Sequence, residues 1–244
     1  MERKAGRMVT FDSVMRDLEA AGTAQNRKIY RRHGAGDNQF GVSYATLDAM
    51  TKQIKREKNP ERDHILGLEL WATGNLDAQV LALRLADPTR MDDDTLNQWA
   101  REVDNYGMAD ALGAFAARSA NAHELGYTWI DADDEWIETA GWNILHQLII
   151  SGKLTDAECE ALLARIEQDI HEAKNRVRYA MNTAIINIGV RGGGLYTDAM
   201  ATAHTIGPVT VDHGQTGCKT PDAATYIDKT LAHRAKKAAS QAAG

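Results

Sequence analysis

Residues 67–118 read GLELWATGNLDAQVLALRLADPTRMDDDTLNQWAREVDNYGMADALGAFAAR, and this stretch decides the fold. Apolar residues recur in it at helical spacing over runs of about a dozen positions. The runs break at Gly74, at Asp87-Pro88 and near Asp104-Asn105, each break carrying residues that stop one helix or start the next. Short amphipathic helices joined by short breaks are the pattern of stacked helical hairpins. The expectation is therefore an all-α, HEAT/armadillo-like, right-handed superhelix of antiparallel helix pairs. The last run sets a polar cluster, Asp104, Asn105, Tyr106 and Asp110, at the mouth of a helix whose other residues, Met108, Leu112 and Phe115, are apolar.

Working outward, Phe11, Val14, Met15 and Leu18 make an apolar stripe in the first of two helices, 10–21 and 24–33, with Gly34 as the C-terminal cap of the second. Ser43 is an N-cap, Pro60 suits a first helical turn, and Ile65, Leu68, Leu70 and Trp71 follow it, with Trp71 assigned to the core. Towards the C-terminus, DADDEWIETAGWNILHQLIISG reads as one long helix, with Thr139, Trp142, Asn143 and His146 as a polar stripe. Thr155 caps the next helix. In NRVRYAMNTAIINIGVRG, Arg178 and Asn182 lie one turn apart on a shared polar face. The repeat pattern stops near Ile206, which divides the chain into a helical-repeat domain, 1–206, and a loop with a capping helix, 207–244.

Composition excludes several classes. In 244 residues there are four prolines and two cysteines, Cys159 and Cys218, too few for a disulfide framework. No apolar run reaches membrane-span length, and MERKAGRM lacks the apolar segment of a signal peptide. A cytoplasmic monomer without a cofactor is the expectation. The segment GAGDNQFG has neither the lysine nor the strand context of a phosphate-binding loop. Asp212, His213, Cys218 and Lys219 cluster in the loop 206–223, but without the paired spacing of a metal site, so no metal is assigned.

The net charge of −6 divides unevenly: +4 over residues 1–63, −15 over 64–172 and +5 over 173–244. Basic ends around an acidic middle allow phosphate contacts at the ends, where Arg31 and Arg32 close a basic strip. Each such cluster has an alternative reading as a solvated helix face.

The phrases LELWATGNLDAQVLALRLADP and WAREVDNYGMAD resemble the bacterial DNA alkylation repair family, helical-repeat DNA glycosylases that remove cationic N3- and N7-alkylated purines. The resemblance runs from about Phe40 to Arg191. It implies catalytic roles for Asp110 and, four residues before it, the aromatic Tyr106. It also places Thr139 and Thr183 at the surface for duplex DNA, while the polar faces carrying Asn143 and His146, and Arg178 and Asn182, and the basic strip with Arg31 and Arg32, are further candidates for DNA contact; His146 has the alternative reading of a hydrogen-bonded structural histidine. Three positions depart from the family: an arginine is usual where Thr139 aligns, a tryptophan where Thr183 aligns, and tryptophan is common where Tyr106 stands.

The chemistry says what these departures mean. An alkylated purine is already a good leaving group, so excision needs a carboxylate to stabilise the positive charge growing on the deoxyribose. Aromatic faces and a phosphate-holding arginine would add about 1–2 kcal/mol each when desolvated. The sequence keeps the carboxylate and loses most of the cage. Two readings stay open: an alkylpurine DNA glycosylase using Asp110, and a non-catalytic helical-repeat scaffold that binds DNA or a protein. Asp110 itself has a plain alternative, as an exposed helix residue or part of a cap with Asn105. The family reads damage without an extrusion pocket, and no pocket is evident in the sequence.

Overall fold

The computed structural model describes residues 9–242; the MERKAGRM segment lies outside the described residues. The chain is all-α, and no strand occurs among the described residues. In order the helices are α1 (Phe11–Ala21), α2 (Ala24–Arg32), α3 (Tyr44–Lys55), α4 (Pro60–Trp71), α5 (Leu76–Leu85), α6 (Asp93–Arg101) and α7 (Tyr106–Ala116). There follow α8 (Ala122–Trp129), α9 (Glu135–Ile150), α10 (Asp156–Asp169), α11 (Asn175–Gly189), α12 (Gly194–Ile206) and α13 (Ala223–Ala242).

Local chemistry fixes the helix starts. Ser43 accepts from the Thr46 amide, Asn59 caps α4 with Pro60 at its first position, and Thr155 and Glu158 form a reciprocal capping box on α10. Each such cap stabilises its helix by about 1 kcal/mol. Gly34, just past α2, has φ +83°, the left-handed conformation that closes a helix C-terminus.

The helices group into two compact units, 1–111 and 112–244, with the division inside α7. In the first, α4 packs on α5, with α1 and α3 against both. In the second, α9 packs on α8 and α11, α12 on α10 and α11, and α13 on α11 and α12. Residues 207–242 therefore belong with the helices of the second unit. Ile227 of α13 is fully buried against Gly189, where an added Cβ would come within 2.6 Å of its Cδ1. Gly113 allows a similar approach in the same unit: a Cβ there would lie 2.5 Å from the Ala140 carbonyl oxygen.

One face of α4 is left to solvent, and one side-chain assignment, that of Trp142, changes. Ile65 and Leu68 are exposed, because the face of α4 that is buried runs through Asp63, Leu66, Gly67, Leu70 and Trp71. Trp142, read in a polar stripe, is fully buried in the core. A lone indole N–H is a small polar cost beside the large apolar surface a tryptophan hides.

Candidate nucleic-acid interface

In the first unit the polar cluster at the start of α7 is built from its cap upward. Asn105 caps the helix: its Oδ1 accepts from the Met108 amide at 3.0 Å, and its amide nitrogen donates to Asp104 at 2.8 Å. The cap is thus Asn105, with Asp110 further along the helix and half-buried. Tyr106 is half-buried too, and its hydroxyl is hydrogen-bonded to His33 Nδ1, with the two rings 6.0 Å apart.

Beside this pair lies a cavity of about 300 Å³, lined mainly by Ile29, Tyr30, His33, Tyr44, Tyr106 and Met108. The sequence had shown no such pocket, because its aromatic residues come from α2, α3 and α7 and meet only in the fold. The Tyr30 hydroxyl donates to the Val42 carbonyl at 2.5 Å. Burial, helped by Tyr44 and Asp77, pushes the Tyr30 phenol up to about 12, so it stays a neutral donor. Tyr44 is 55% exposed, yet desolvation still leads the causes that raise its phenol; the Arg84 guanidinium opposes, and Asp77 and Asp110 add to the rise. The Arg84 guanidinium sits 5.6 Å from the centre of the Tyr44 ring. The negative charge of Asp110 thus acts on the Tyr44 phenol.

The α2 strip ends here as well. Arg31 and Arg32 are both exposed, with Arg31 paired to Asp37 at 2.8 Å. Neither is sunk in the core, so both can meet a polyanion.

The second unit treats its candidates differently. Thr139 is 1% exposed, and its hydroxyl makes no hydrogen bond among the described residues. Asn143, half-buried, donates to the Thr139 carbonyl at 2.9 Å. His146 Nδ1 accepts from Asn187 at 2.9 Å, and burial lowers the imidazole pKa, favouring the neutral ring that this bond requires. The Thr183 hydroxyl donates back to the Tyr179 carbonyl at 2.9 Å.

Arg178 and Asn182 do not simply face outward as their shared polar stripe implied. With Asn175 they hold the loop 207–222 along one face of α11. Asn175 exchanges two bonds with the Asp212 backbone, at 2.8 and 2.7 Å. Arg178 reaches the Thr210 carbonyl at 3.3 Å, and the buried Asn182 donates to the Pro221 carbonyl at 3.0 Å. Within the loop His213 bonds Thr220 at 3.0 Å, and its ring meets Tyr179 edge-on. The signal for this was available in sequence, as Asn175, Arg178 and Asn182 recur at helical spacing, but nothing there named the loop as their partner.

The sequence profile of the DNA alkylation repair enzyme family matches residues 14–227. The chain belongs to that family. The match extends the sequence-level resemblance at both ends, taking in most of α1 and the start of α13. Among relatives, an uncharacterised protein of Listeria monocytogenes is 31% identical over 91% of this chain and 97% of its own length. An uncharacterised protein of Listeria innocua is 30% identical over the same shares. A solved structure at 28% identity superposes with a TM-score of 0.82 over 92% of this chain and 95% of its own. It is described as representing a new family of proteins related to the HEAT-like repeat DNA glycosylases, with affinity for branched DNA structures. The helix-on-helix packing seen here is accordingly of the HEAT-like class.

Proposed function

We propose that this chain binds DNA, preferring branched structures to linear duplex, and does not excise bases. The observation that carries this reading is the state of Thr139 and Thr183. The resemblance places an arginine and a tryptophan there in glycosylases. Here Thr139 is 1% exposed, and Thr183 spends its hydroxyl on its own helix. Neither can grip a phosphate or stack on a cationic base. The affinity of the structural neighbour for branched DNA supports the same conclusion. The exposed Arg31 and Arg32 supply contacts of the kind that neutralise phosphates without reading sequence.

The test is fluorescence anisotropy with a four-way junction and a linear duplex of the same arm sequence. The junction is expected to bind at least about tenfold more tightly, with both affinities falling steeply as salt rises. Equal affinity for the two DNAs would end the proposal, as would abasic sites produced in duplex carrying N7-methylguanine.

A second reading, excision of alkylated purines, is favoured by one observation: Asp110 is retained and half-buried one turn from Tyr106, with its charge acting on the Tyr44 phenol. On that reading Asp110→Asn lowers excision by up to about a hundredfold while DNA affinity is kept.

A further inference from the structure

A second cavity of the first unit, about 480 Å³, is distinct from the one beside Tyr106. It opens where α4 and α6 end and α5 and α7 begin, a volume within the range of about 300–1,000 Å³ typical of small-molecule sites. One wall is the stacked pair Trp71 and Trp99, with ring centres 4.0 Å apart and planes 3° from parallel. Glu102 and Asp104 bring two carboxylates, and no Lys, Arg or His is among the lining residues. Two helix ends of each polarity meet there, so their dipoles oppose and the carboxylates decide the sign of the field.

Glu102 and Asp104 are both exposed at the cavity rim, and Glu102 is oriented by two hydrogen bonds. One of its oxygens accepts from the Trp71 indole N–H at 2.6 Å and the other from Gln98 at 3.0 Å. Each carboxylate oxygen has a second lone-pair direction for a ligand. Gln79, also in the lining, is 8% exposed, and its amide has no hydrogen-bond partner among the described residues. That amide is left to the open cavity, where its N–H groups and carbonyl oxygen are available to a ligand. Two acids, an unpaired amide and an aromatic wall define the complement: positive charge, N–H donors and a short apolar stem.

We propose that this cavity binds an organic cation of the alkylammonium or guanidinium class. The negative lining repels phosphate, so the site is separate from any DNA surface and its occupancy does not depend on the DNA-binding reading. Such a cation comes either from a free diamine or from an arginine side chain of a protein partner.

Isothermal titration calorimetry of the full chain tests this with three probes: agmatine, N-acetyl-arginine-methylamide and the neutral n-butylurea. One saturable site is expected for the cations, with Kd near about 0.1 mM, and no binding of the urea. Glu102→Gln and Asp104→Asn, which keep shape and lose charge, should each weaken binding about tenfold, and Gln79→Leu should also weaken it, with helicity by circular dichroism unchanged in all three. Tighter binding of agmatine supports the site with a free diamine as its ligand; tighter binding of the capped arginine supports it with a protein partner. Absence of saturable heat for both cations overturns the proposal. So does unchanged affinity in the Glu102→Gln, Asp104→Asn double variant, or binding of the urea as strong as that of agmatine.

Discussion

The two long irregular segments, residues 34–42 in the first unit and 207–222 in the second, are tied down in different ways. In the first, one buried acid takes three successive amides: Asp77, 1% exposed, accepts from Phe40, Gly41 and Val42 at 2.6, 2.9 and 2.8 Å, while the Phe40 and Val42 carbonyls accept from Arg27 at 2.9 Å and Tyr30 at 2.5 Å. The second is fastened by Asn175, Arg178 and Asn182, which donate from one helix face to carbonyls of Asp212, Thr210 and Pro221. Inward backbone groups of both loops need partners, but the first gives three amides to one carboxylate while the second spreads its bonds over three side chains. The comparison teaches that polar residues at helical spacing in this fold serve the chain itself before any ligand is considered. It also separates a concentrated anchor from a distributed one, and the two should fail differently.

The largest expected effect follows from concentration. Asp77→Ala leaves three amide groups without their acceptor in a buried place, and should destabilise by about 3–5 kcal/mol in chemical denaturation. Asp77→Asn should cost nearly as much, since at least one amide would then face an N–H donor. A loss below about 1 kcal/mol for both variants would show that water takes over the role of Asp77, and the contrast between the loops would break.

A distributed anchor should give way in steps. Asn182→Ala removes one bond to a carbonyl that is half-exposed, and should cost about 1 kcal/mol. Combining it with Arg178→Ala should leave the helices folded while raising the rate of proteolytic cleavage within 207–222. If the double variant instead unfolds as cooperatively as Asp77→Ala, the loop is part of the second unit's core and the comparison needs redrawing.

The smallest effect concerns pH. Burial lowers the His146 pKa from its ordinary value of 6.5, so the folded chain holds this ring neutral while the unfolded chain takes up a proton first. Its contribution is fully present above 6.5 and is lost as pH falls from there through the lower folded-state pKa. Protonation would also set an N–H against the Asn187 amide that now donates to Nδ1. Lowering the pH from about 7 to about 5 should therefore reduce Tm more in the wild type than in His146→Gln. Parallel curves for the two would mean that Asn187 turns its carbonyl oxygen to the ring at no cost.

Much of the architecture was legible in the residues alone. Ser43, Asn59-Pro60 and Thr155 mark helix starts by local chemistry that needs no distant partner, and the apolar spacing between Gly67 and Arg118 is enough to specify short packed helices. The same is true of membership in the DNA alkylation repair family, which rests on residue identities along the chain. What a polar side chain does was not legible, because helical spacing says which residues share a face and not what covers that face. Thr139 and Trp142 belong to a stripe in sequence and to the interior in space. Asp77 reads as an ordinary first-turn acid until residues 40–42, more than thirty positions earlier, bring three amides to it. The aromatic cavity at Tyr106 and the acidic one at Trp71 and Trp99 likewise collect side chains from separate helices. Local propensity acts over a few residues and is written in order along the chain, whereas burial and pairing depend on distances that exist only once the helices have packed.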